Sequence, residues 1–109
     1  MYTYKAEVVN VVDGDTIDVI IDLGFKIGTK QRMRIAHIDT PEKGQPHYQL
    51  AADTTKSFVL NKVVTIKTEK ASKWGYYLAQ VTLDTGEDLG SKLVFMGLAK
   101  LYEGGTKTP

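Results

Sequence analysis

Val11-Val12-Asp13-Gly14-Asp15-Thr16-Ile17-Asp18-Val19-Ile20-Ile21-Asp22-Leu23 reads as the end of one β-strand, a tight turn and a second strand. Ile17, Val19, Ile21 and Leu23 alternate with Thr16, Asp18 and Asp22, the period of a half-buried strand with its aspartates on the wet face. Asp-Gly is a strong tight-turn signal, and residues 4–12 supply the partner strand before it. Gly24 and Gly28 punctuate the next connection, and residues 30–38 read as a third strand, which completes an antiparallel meander. Over residues 47–62 the period becomes helical, with Ala51, Thr55, Phe58, Val59 and Lys62 on or near one face and Pro46 at the N-terminal boundary. Residues 63–68 and 76–83 are again strand-like, separated by the polar turn Lys70-Ala71-Ser72-Lys73. A short helix over residues 89–96 ends where Gly97 supplies a C-terminal stop. Five short strands, with a helix after the third and another after the fifth, predict a mainly β, α+β chain. The expected architecture is a small five-stranded barrel of the oligonucleotide-binding (OB) type.

Composition narrows the function. At 109 residues the chain is expected to form one domain over residues 1–103, with 104–109 as a flexible C-terminal tail. There is no cysteine, which excludes disulfides and thiolate metal sites. Fourteen Lys and Arg against thirteen Asp and Glu leave a net charge of +1, so any affinity for phosphate must be local rather than global. Apolar runs stop far short of the roughly twenty residues that cross a bilayer. Met1-Tyr2-Thr3-Tyr4-Lys5 lacks the apolar core of a signal peptide, so a cytoplasmic protein without membrane contact is expected, working as a monomer.

The chemistry concentrates at two turns. Asp13 and Asp15 are answered about twenty residues later by Arg34, Asp39 and Glu42. Carboxylates gathered in a small domain repel one another unless a cation screens them, and hard oxygen ligands suit calcium or magnesium. An arginine aimed into the same cleft then suggests a phosphate. Each piece alone has a plainer reading. Asp13-Gly14-Asp15 is by itself a hairpin turn, Thr40-Pro41-Glu42 a loop-to-helix boundary, and Arg34 a solvated strand residue. Lys73-Trp74-Gly75 is either a hairpin whose Trp covers the barrel end or a base-stacking platform. His37 reads as a packed or hydrogen-bonded strand residue and His47 as a helix start, and two histidines so separated make no zinc site.

The run ending at Thr16, the run from Arg34 to Glu42, Lys73-Trp74-Gly75 followed by Leu78-Ala79, and Gly97-Leu98-Ala99-Lys100 occur in an order and spacing that resembles the staphylococcal-nuclease-like (thermonuclease) family, in its compact bacterial and phage-type members. The resemblance covers almost the whole chain. It implies an OB-fold barrel that binds calcium and cuts a phosphodiester of DNA or RNA, leaving 3′-phosphate ends. It also implies roles: Asp15, Asp39 and the Thr40 carbonyl on the metal, Glu42 orienting or deprotonating the attacking water, and Arg34 on the phosphate. Lys73, Trp74 and Leu78 match positions lining the nucleotide pocket. One position departs from the pattern, since Tyr76 stands where the family carries a second arginine. Tyrosine brings no charge to the developing phosphorane, so a slow enzyme is expected unless Arg32, Lys70 or Lys73 substitutes. Two other readings remain: a catalytically weakened OB-fold module that binds single-stranded nucleic acid or a protein partner, and a calcium-stabilised structural domain.

Overall fold

A computed structural model describes residues 3–71 and 76–102. The elements run β1 (Thr3–Asp13), β2 (Thr16–Asp22), β3 (Gly28–Ile35), β4 (Ile38–Asp39), α1 (Tyr48–Val59), β5 (Val63–Ala71), β6 (Tyr77–Thr82), α2 (Leu89–Phe95) and β7 (Lys100–Leu101). Strands β1, β2, β3, β6 and β5 close into a barrel in that order, so the expected five-stranded OB-type architecture is present. The first three strands form the expected antiparallel meander, and β3 meets β6 in parallel to shut the barrel.

Closure depends on a break in the alternation of β1. Ala6, Val8 and Val11 all point into the core, and the step of three between the last two is possible because the β1–β2 register shifts between Val8 and Asn10. A bulge of this kind bends the strand and increases its twist, as a closed barrel requires. Val8, Ile17, Val19, Met33, Ile35, Val64, Ile66 and Val81 fill the interior, with Val59 from α1 and Leu89 and Leu93 from α2 among the buried core residues.

Most strand and helix ends shift by a residue or more, and three of the shifts have a local reason. The third strand stops at Ile35 instead of residue 38, because His37 takes a left-handed φ of 68°, which breaks the strand. Its ring is therefore exposed and pairs with the Glu69 carboxylate at 3.0 Å, while Ile38 and Asp39 restart as β4 against β7. The helix expected over residues 47–62 runs Tyr48–Val59. Asn61 has φ 63° and its N–H donates to Val8 O, which ties the chain to β1. The second helix ends at Phe95, one residue early, with Gly97 at φ 78° and Leu98 N–H bonded to Leu93 O in a Schellman arrangement. The turn expected over residues 70–73 gives way to strand at Ala71, and the rest of it, like the boundary after residue 103, lies outside the described residues. No helix among the described residues is long and apolar enough to cross a membrane.

Candidate active site

The turn between β1 and β2 is built by two elements distant in sequence. Asp13 pairs with Thr16 across the loop Gly14-Asp15. The glycine serves close approach: a Cβ there would lie 3.0 Å from both the Ala51 Cβ and the Thr40 Oγ1. From α1, Thr55 donates its hydroxyl to Gly14 O at 2.8 Å, and the Tyr48 hydroxyl donates to Asp13 Oδ1 at 2.6 Å. From β3, Ile35 N–H donates to Asp15 O at 2.8 Å. The backbone before the second acid is thus clamped by a helix and a strand at once.

These clamps hold Asp15 against the end of β4. Asp15 is buried, its Oδ2 accepting from the Thr40 backbone N–H at 3.2 Å and its Oδ1 from the Thr16 hydroxyl at 3.1 Å. Arg34, opposite Thr16 in the β2–β3 register, reaches both acids through a single nitrogen. Its Nη2 lies 3.5 Å from Asp15 Oδ2, 3.1 Å from Asp39 Oδ1 and 3.2 Å from Ile38 O. All three of these contacts are made by Nη2. Its guanidinium also lies over the Tyr102 ring, 5.3 Å from the centroid, a cation–π contact.

The electrostatics favour a cation. Burial raises the Asp15 pKa above the ordinary aspartate value, against the lowering effects of the Thr40 N–H, Arg34 and the Thr16 hydroxyl, and Asp39 adds a repulsion that raises it further. At Asp15, burial therefore outweighs the compensation that Arg34 and the two hydrogen bonds supply. Thr40 Oγ1 is buried beside them without a hydrogen-bond partner. Two hard carboxylates next to an unsatisfied hydroxyl suit calcium or magnesium. No group of three His, Asp or Glu side chains that could hold a metal occurs among the described residues, so most of the coordination shell would fall to carbonyl, water or substrate oxygens.

The remaining candidates divide by place. Glu42 is exposed in the loop between β4 and α1, which is braced by Glu42 N–H to Gln45 Oε1 at 2.7 Å and Gln45 N–H to Glu42 O at 2.9 Å. Leu78 is half-buried next to Arg34 in the β3–β6 register. Tyr76 lies one step before β6 and hydrogen-bonds the Arg32 guanidinium. Lys73 and Trp74 lie outside the described residues. A cleft of about 290 Å³ opens elsewhere, between β4 and α2, lined among others by Ile35, His37, Gln80, Asp88, Ser91 and Leu101. It contains none of Asp15, Arg34, Asp39 or Glu42, and the chemistry points to the acid pair instead.

Sequence reasoning passed over Tyr48, Thr55 and Tyr102, which position the acids and Arg34. Thr55 carried a signal, because a hydroxyl on the buried face of a helix needs an acceptor. Tyr102 carried none.

The profile of the staphylococcal nuclease homologue family matches residues 32–108, a span that holds Arg34, Asp39, Thr40 and Glu42. An uncharacterised endonuclease of Escherichia coli is 36% identical over 96 residues, covering 88% of this chain and 60% of its own. A thermonuclease of Staphylococcus hyicus is 39% identical over 106 residues, covering 90% of this chain and 58% of its own. Protein ParB of Escherichia coli is 34% identical over 108 residues, covering 90% and 57%. The chain spans about three fifths of the length of these curated relatives. With the closed barrel, the acid pair that joins its β1–β2 turn to β4 and a profile match over most of its length, the chain belongs to the family of staphylococcal nuclease homologues.

Proposed function

We propose that the protein is a calcium-dependent nuclease that hydrolyses phosphodiester bonds of DNA or RNA and leaves 3′-phosphate ends. The observation that carries this reading is the convergence of Asp15 and Asp39 on one nitrogen of Arg34, in a chain whose relatives are named endonuclease and thermonuclease. Asp15, Asp39 and the Thr40 carbonyl would hold the ion. When bound, calcium supplies the positive charge that attracts and polarises a phosphate among acids that would otherwise repel it. Arg34, steadied by the acids and Tyr102, would offer its remaining N–H groups to the phosphate oxygens. Glu42 orients or deprotonates the attacking water from its exposed loop. Water adds its hydroxyl to phosphorus, the bond to the 5′-oxygen breaks, and that oxygen takes up the proton. Leu78 would line the nucleotide pocket, the role that the resemblance also gives to Lys73 and Trp74. Tyr76 can donate a single hydrogen bond and brings no charge, which makes turnover slow.

Incubation of the pure protein with single-stranded DNA and RNA, in calcium and then in chelator, tests this. Cleavage to 3′-phosphate ends in calcium and none in chelator is expected. Undiminished cleavage in chelator rejects the mechanism, and calcium-dependent binding without cleavage selects the weakened binding module.

A further inference from the structure

We propose that the outer face of β3 is a phosphate track for a single nucleic-acid strand, running from the acid site along Arg34, Arg32 and Lys30 towards Phe25. The inference rests on the nuclease reading and names its substrate class as an extended strand of several nucleotides.

Met33 and Ile35 point into the barrel, so Lys30, Arg32 and Arg34 share the outer face of the same strand. Alternate residues on a strand are about 7 Å apart, a spacing comparable with that of successive phosphates along an extended single strand. Arg34 occupies the acid site, and the next cation begins one phosphate away. Arg32 is held in place: its Nε donates to Asp18 Oδ1 at 2.8 Å and its Nη2 to Asp18 Oδ2 at 3.3 Å, with Tyr76 as a further hydrogen-bond partner. Asp18 is itself fixed by the Asn10 amide at 3.2 Å. Yet the Arg32 side chain stays 44% exposed while that of Asp18 is 8% exposed, so the guanidinium covers the acid and faces the solvent. Lys30, opposite Ile20, is also exposed.

A second observation lies at the far end of the hairpin. Phe25 and Lys26 are both left-handed, at φ 55° and 61°, in the turn closed by Ile27 N–H to Gly24 O. Bulky side chains avoid that conformation, and Phe25 gains no packing in return, since it is 97% exposed. An aromatic face presented beyond a row of cations is what a stacked base needs. Asp18, Asp22 on β2 and Glu7 across Ile20 lie on neighbouring positions, so binding is expected to be moderate and strongly salt-dependent.

The test uses a fluorescein-labelled octathymidylate and anisotropy in chelator, at a series of salt concentrations. Arg32→Gln and Lys30→Gln should each reduce the slope of log K against log salt by about 0.7, the value for one phosphate contact on a single strand. Arg32→Lys should retain the slope, and Lys30→Gln reads the track even if Arg32→Gln disturbs Asp18. Phe25→Ala should weaken binding several-fold with the slope unchanged, because stacking releases no counterion. Lys67→Gln, on β5, is the control and should alter neither. In calcium, the preference in kcat/KM for the octamer over a nitrophenyl diester of thymidine should fall roughly tenfold in the Arg32→Gln, Lys30→Gln double variant. Unchanged slopes, an equal effect of Lys67→Gln, or tighter binding of duplex than of single strand would overturn the track. A wild type that cleaves neither substrate removes the nuclease reading, and the anisotropy slopes then decide the track alone.

Discussion

Asp15 is the residue where burial and charge disagree most. Its raised pKa means that, above the ordinary aspartate range, the folded protein still holds a proton the unfolded chain has released. The stability tied to this group is therefore full at low pH and is lost as pH rises through the folded-state value. Asp15→Asn should match or exceed the wild type in melting temperature in chelator at neutral pH, with the gap closing on acidification below about pH 4. The calcium-induced rise should shrink in the mutant. A mutant that is less stable in chelator yet keeps the whole calcium rise would make Asp15 a turn residue only. Tyr76 is the other decisive side chain. Tyr76→Arg adds a cation where the proposed site lacks one, at the cost of the hydrogen bond to Arg32. Turnover should rise by at least about tenfold, mainly in kcat, because charge met only in the transition state raises the rate more than ground-state binding. Arg34→Ala should lower activity in both backgrounds; a flat rate in a folded Tyr76→Arg protein would leave no role for the missing charge. The acids and Arg34 were legible because carboxylates at two turns need a reason. Their shared contact through one nitrogen was not, since it depends on the break at His37.

Between elements, the site depends on α1 gripping the β1–β2 turn. Thr55 is fully buried and supplies the hydroxyl that Gly14 O accepts, so Thr55→Val keeps the shape and strands a carbonyl. Thermal or denaturant unfolding should show a loss of about 1–3 kcal/mol, and Thr55→Ser should recover most of it. If the turn positions the metal ligands, the same valine should weaken the calcium-induced stabilisation beyond the loss of fold. An unchanged calcium shift would mean the turn holds its geometry without the helix. The helix itself was readable from its apolar spacing, including Thr55 on the buried face. The boundaries of β3 and α1 were not, because His37 and Asn61 take left-handed conformations that only tertiary partners select: Tyr102 N–H on His37 O, and Val8 O on Asn61 N–H. The pair β4–β7 was equally invisible, since two residues on each side carry no period.

At the scale of the molecule, the site lies on the seam that closes the barrel. β2 and β3 align over seven residue pairs, whereas β3 and β6 join in parallel over three, Met33 to Tyr77, Arg34 to Leu78 and Ile35 to Ala79. Parallel pairing is also slightly weaker per residue, so this seam is where the barrel should open first. Five strands of the right period made a barrel readable in the sequence, but a closure three residues long between strands some forty residues apart left no local trace. Arg34 belongs to the seam, and Tyr102 reaches it through the β4–β7 clip. A nucleotide held by Arg34 and Leu78 together would therefore also stitch β3 to β6. Hydrogen exchange followed with calcium and an oligonucleotide product should show added protection at residues 33–35, 77–79 and 100–102. The β1–β2 ladder, paired from Ala6–Ile21 to Asp13–Thr16 apart from its two register shifts, should change little. Uniform protection would indicate global stabilisation by mass action alone. Protection confined to the β1–β2 ladder would place the ligand away from the seam and from Arg34.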